Sequence, residues 1–94
     1  MRRAFRVLRN LYRDSVALME VSARIAALPG VRQAQAVMAT PANLALVGEA
    51  GLLERAPEAG PNDILVALEA EDDDAIARAF SAIGQMVDRA LVRA

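Results

Sequence analysis

The chain contains no cysteine, no histidine and no tryptophan. Without thiols there are no disulfides and no thiolate nucleophile, and without imidazole the commonest general base and the usual zinc ligands are missing together. Lysine is absent too, since all eleven basic residues are arginine. No stretch approaches the roughly 18 consecutive apolar residues of a membrane helix. Arg6, Arg9 and Asn10 also interrupt the apolar run that an export signal starting at Arg2–Arg3 would need. The expectation is a cytoplasmic protein with no membrane partner. A net charge of -1 gives no overall attraction to nucleic acid, and none is expected as a partner.

What remains is a short chain rich in small apolar residues. At 94 residues it has room for one core, expected to span residues 1–94 as a single domain. The hydrophobic fraction of 55% includes much alanine, which buries little area per residue and mainly lets helices and strands approach closely.

Hydrophobic periodicity divides the chain into six elements. Ala4 to Tyr12 reads as a strand in which Phe5, Val7 and Leu11 are apolar, with Arg9 falling on the apolar side. Asp14 and Ser15 occupy helix-cap positions, and Leu18, Val21, Ile25 and Leu28 follow at helical spacing until Pro29–Gly30. Val31 to Ala39 is a second strand. Thr40–Pro41 then opens a short helix, from Ala42 to about Ala50. A loop holding Pro57, Gly60, Pro61 and Asn62 precedes the wholly apolar run Ile64 to Leu68, the expected central strand. The acidic run Glu69 to Asp74 leads into a helix with Ile76, Phe80, Ile83 and Val87 on its core face and Arg89 and Arg93 near its end.

The order β-α-β-α-β-α predicts an α/β (α+β) two-layer sandwich. The link between strands two and three is too short for a usual parallel crossover, so they are expected to run antiparallel, as in a ferredoxin-like or ACT-like fold lacking its last strand. A small parallel three-stranded α/β arrangement is the alternative.

Antiparallel strands bring three polar clusters to one rim: Tyr12, Arg13, Asp14 and Ser15, then Thr40 and Asn43, then Asn62 and Asp63. Helix N-termini at such a rim suit an anion, with Arg9 a possible anion contact. The same residues equally suit caps and turns. The carboxylates Glu69, Glu71, Asp72, Asp73 and Asp74 are read as caps and dipole compensation, Asp74 with Arg78 as a solvated pair, and no metal site is expected. No catalytic residue and no cofactor are assigned.

The blocks Tyr12–Arg13–Asp14–Ser15–Val16–Ala17–Leu18–Met19, then Ser22, then Met38–Ala39–Thr40–Pro41–Ala42–Asn43–Leu44–Ala45–Leu46, and Pro61–Asn62–Asp63–Ile64 give the chain its family likeness. In order and spacing they resemble the DSV-x-LM, TPAN-x-AL and PND patterns that open the FdrA family, over nearly the whole chain. Members of that family are similar to the α subunit of succinyl-CoA synthetase, and some are linked to oxamate carbamoyltransferase. Their CoA-ligase-like domains have no counterpart here, so the resemblance implies the N-terminal module without its activity.

The implied role is a small non-catalytic subunit or module that assembles with an FdrA-like CoA-ligase-type large chain, an acyl-CoA synthetase or carbamoyltransferase. The other reading is an ACT-like regulatory domain that binds a small anionic metabolite at the rim. A three-stranded sheet has open edges, so a homo-oligomer is also expected.

Overall fold

The computed structural model of the chain describes residues 1–92, with side chains described through Gln85. Its elements are β1 (Arg2–Leu8), α1 (Ser15–Ala26), β2 (Val31–Met38), α2 (Pro41–Glu49), β3 (Ile64–Ala70) and α3 (Asp73–Val92). The strands lie in the order β1-β3-β2, with β3 antiparallel to both neighbours. This is the antiparallel arrangement expected from the short α2 connection, and the parallel alternative is excluded.

Residues Ile64 to Leu68 are all buried because β3 is flanked on both edges and covered on both faces. On one face, Leu18 and Ile25 of α1 and Ala75, Ala79 and Ile83 of α3 pack on Ala36, Ile64, Val66 and Leu68. That pairing of helices with sheet is the two-layer sandwich. The other face is not bare: Val47 of α2 and Leu52 of the following loop cover Leu65 and Ala67. The alanines on the helix side let α3 approach β3 closely. The turn before β2 also packs closely on α3, since a Cβ at Gly30 would meet the Ala75 Cβ at 2.8 Å, and its φ of 83° favours glycine.

Each helix begins at a side-chain cap. Asp14 Oδ1 accepts from the Ala17 N–H at 2.8 Å, and Thr40 Oγ1 accepts from the Asn43 N–H at 3.2 Å with Pro41 in the first helical position. Asp72 Oδ1 accepts from the Ala75 N–H at 2.8 Å at the start of α3.

Three boundaries differ from the sequence reading. The first strand runs from Arg2 to Leu8, not from Ala4 to Tyr12. Arg2 reaches Asp73 at 3.4 Å and Arg3 reaches Glu69 at 3.2 Å, distant partners that carry the strand to its start. The strand stops because Asn10 adopts a positive φ of 53°, which turns the chain. Arg9 is therefore in a turn and not on an apolar strand face. Glu69 and Ala70 belong to β3, so only the later part of the acidic run leads into α3. Among the described residues Asp74 and Arg78 form no ion pair. Arg93 lies outside the described residues, and the side chains of Val87 and Arg89, within α3, lie outside the described side chains.

Candidate functional site

The register places Leu8 and Met38 on either side of Ile64, so the ends of β1 and β2 and the start of β3 do share one rim. The polar residues expected there separate into two groups.

The first group surrounds Asp63, the one buried charged residue among those described, at 8% exposure. Its Oδ1 accepts from the Asn10 N–H at 2.8 Å and its Oδ2 from the Gly60 N–H at 2.9 Å. Its carbonyl accepts from the Ala39 N–H at 2.8 Å. Arg9 stands 3.6 Å from Oδ2 and also donates to the Glu58 carbonyl at 3.1 Å. The Gly60 and then the Asn10 amide bonds hold the carboxyl below the usual carboxylate range against the opposing effect of burial, and Arg9 adds to this. Asp63 thus ties the ends of all three strands together, and the Arg9 guanidinium is engaged within the chain. Asn62 is exposed beside this knot.

The second group forms a concavity of about 250 Å³ between α1, the end of β2 and α2. Tyr12, Arg13 and Ser15 line it from the α1 side and Asn43 from α2. Asp14 and Thr40 cap the two helices at its edge. Arg13 donates from Nη1 to the Tyr12 carbonyl at 2.6 Å, and its Nη2 is buried without a partner. Leaving such a donor unmatched costs about 1–3 kcal/mol, so a partner oxygen reaching it would be favourable.

Sequence reasoning missed the apolar part of this wall. Met19 of α1 and Val37 and Met38 of β2 also line the concavity. Of this lining Tyr12 is 68% and Met19 70% exposed; Val16 and Leu46, also exposed, are not among the lining residues. Within α1 the spacing held part of the signal, since Val16 and Met19 lie three residues apart beside the core stripe, whereas Tyr12 precedes the helix.

Ser22 was also missed as a contact. It bonds back to the Leu18 carbonyl at 2.9 Å and accepts from the Ala36 N–H at 2.8 Å, so it fastens α1 to the outer edge of β2.

An antiparallel β1–β3–β2 sheet under two helices, in β-α-β-α-β-α order, is consistent with a ferredoxin-like fold of the heavy metal-associated type. Residues 1–93 match the AllF heavy metal-associated domain, and the chain belongs to that family. No curated protein and no solved structure matches it.

This membership corrects the FdrA assignment and the acyl-CoA synthetase and carbamoyltransferase roles drawn from it, together with the ACT-like metabolite-binding role. The physical reason lies in what the quoted blocks do. Asp14 and Thr40–Pro41 are helix caps, and Pro61–Asn62–Asp63 turns the chain into β3. Such blocks report a fold more than an activity.

The family's description raises the question of a heavy-metal ion. Soft ions take thiolate, imidazole and thioether donors. This chain has no cysteine or histidine, and its described residues bring no three carboxylates together as a metal site. The thioethers of Met19 and Met38 face the same concavity but carry no charge. The donor set does not fit a heavy-metal ion.

No helix among the described residues is long and apolar enough to cross a membrane.

Proposed function

We propose that this chain is a protein-docking module of AllF-type proteins, and that the concavity between α1, β2 and α2 is its contact surface. Tyr12, Arg13, Ser15, Met19 and Asn43 make the contact, while Asp14, Thr40, Asn62 and Asp63 hold the rim that presents it. The single observation that carries this reading is that two of the chain's exposed large apolar side chains, Tyr12 and Met19, line the same concavity as Val37 and Met38.

Isolated exposed apolar residues are ordinary on a surface, whereas a group around a depression marks a contact site. A tyrosine and a methionine beside an arginine with an unmatched donor is a composition that protein interfaces favour. The partner in this reading is the rest of an AllF-type polypeptide, and the setting is the cytoplasm. Residues 1–94 act as one unit in it.

Isothermal titration of the 94-residue chain into an AllF-type protein lacking this region tests the proposal. Saturable one-to-one binding is expected. Tyr12→Ala or Met19→Asp should weaken it by more than about 1 kcal/mol with the melting temperature unchanged. Absence of binding, or equal binding by both variants, would refute the docking role. Sedimentation of the chain alone reports whether it also forms the expected homo-oligomer.

A further inference from the structure

The two edges of the sheet are finished differently. In an antiparallel ladder, successive residues direct their N–H and C=O groups alternately toward and away from the neighbouring strand. Ala39 bonds inward to Asp63, so Ala36 and Met38 point outward from β2. Both are matched there. The Ala36 N–H donates to Ser22 Oγ at 2.8 Å, and the Met38 carbonyl accepts from Asn43 Nδ2 at 2.9 Å and from the Thr40 N–H at 2.9 Å. Toward α2 the β2 edge is thus covered by its own chain, at the Ala36 groups and the Met38 carbonyl.

The same alternation turns Ile64, Val66 and Leu68 toward β1, opposite Leu8, Arg6 and Ala4. Arg3, Phe5 and Val7 therefore direct their backbone groups away from the sheet. Among the described residues none of these outward groups has a hydrogen-bond partner. Two open depressions of about 290 and 370 Å³ run along this edge, lined by Arg3, Phe5, Val7 and Arg9 on one side and by Arg55 on the other, with Glu54 at the end of one and Glu58 at the end of the other.

An unpaired edge is a template for another strand, and the local charge selects which one. Arg2, Arg3, Arg6 and Arg9 lie along or just beyond β1, Arg2, Arg3 and Arg9 each beside a carboxylate of the chain, and Arg55 stands over the Phe5 ring at 5.2 Å. Among the described residues Arg6 and Arg55 have no carboxylate partner. Pairing β1 with β1 of a second copy would crowd the arginines of both strands on one ribbon, which like-charge repulsion disfavours.

The geometry points to β-augmentation: the open edge of β1 accepts an extended acidic segment of a partner polypeptide as a fourth strand. Its backbone completes the groups of Arg3, Phe5 and Val7. Its carboxylates meet Arg3 and Arg55, which share the Phe5 face of the strand, while Arg6 lies on the opposite face against the Phe80 ring. This edge is remote in the sheet from the β2-side concavity, being separated from it by β3, so the two contacts stand or fall separately.

The test uses the 94-residue chain and the peptide Glu-Val-Glu-Thr-Glu-Val-Glu, followed by amide hydrogen exchange. Saturating peptide should slow exchange at Arg3, Phe5 and Val7. Replacing the peptide's glutamates by glutamine should weaken binding about tenfold or more, as expected for loss of several exposed ion pairs. N-methylation of alternate peptide residues on the pairing side should abolish binding while leaving every charge in place. Unchanged exchange at the three amides would overturn the proposal. Undiminished binding of the N-methylated peptide would overturn it as well, since charge alone would then account for the contact.

Discussion

The Asn10 N–H donates to Asp63 Oδ1 at 2.8 Å, joining two residues 53 positions apart. Asn10 turns the chain at a positive φ of 53° just after β1, and the Gly60 amide completes the carboxylate's pair of donors. The rim is organised from this one buried carboxylate.

Asp63→Asn should lower the melting temperature, because an amide in place of the carboxylate cannot accept both backbone bonds. The pH dependence separates the charge from the packing. A carboxyl held below its ordinary value contributes stability that is complete above its unfolded pKa of about 3.9 and is lost as the pH falls through the lower folded value. Acid titrations of melting temperature should show that loss in the native chain and a shallower one in the variant. Parallel acid limbs would contradict the assignment.

Ser22→Ala removes the acceptor of the Ala36 N–H and the tie between α1 and β2. A cost of about 1 kcal/mol is expected in urea unfolding, with faster exchange at the Ala36 amide. Unchanged exchange at that amide would contradict the covered edge of β2 at Ala36.

Gly30→Ala should cost about 2 kcal/mol by adding a Cβ at positive φ and against Ala75. The same substitution at Gly84, where a Cβ meets nothing within 4 Å inside α3, should be neutral or stabilising. Equal effects at the two sites would contradict the close packing of the β2 start on α3.

Much of this architecture was legible before the structure. The apolar run Ile64–Leu68 marked the central strand, and the brevity of the segment from Pro41 to Glu49 marked the reversal between β2 and β3. The start of β1 was not legible because Arg2 and Arg3 look like a charged tail until Asp73 and Glu69 are placed beside them. Arg9 looked like an intruder on a strand because its partner Asp63 is far away in the sequence. The polar rim residues were found, but the concavity depends on Met19 and Met38, which come from separate elements and meet only in the fold. The family likeness failed because caps and turns recur wherever the same chain path does.

Calorimetric titration with cuprous or zinc ions should give no stoichiometric heat, since the chain lacks thiolate and imidazole donors. Saturable one-to-one binding would show that Met19 and Met38 suffice for a metal site and would contradict the docking interpretation of the concavity.

The most direct test of the docking claim is an amide chemical-shift map of the isotope-labelled chain, with and without an AllF-type protein lacking this region. The account predicts perturbations confined to Tyr12 through Met19 and Val37 through Leu46, with the Asp63 knot unmoved. Perturbations elsewhere on the surface, or none at saturation, would contradict it.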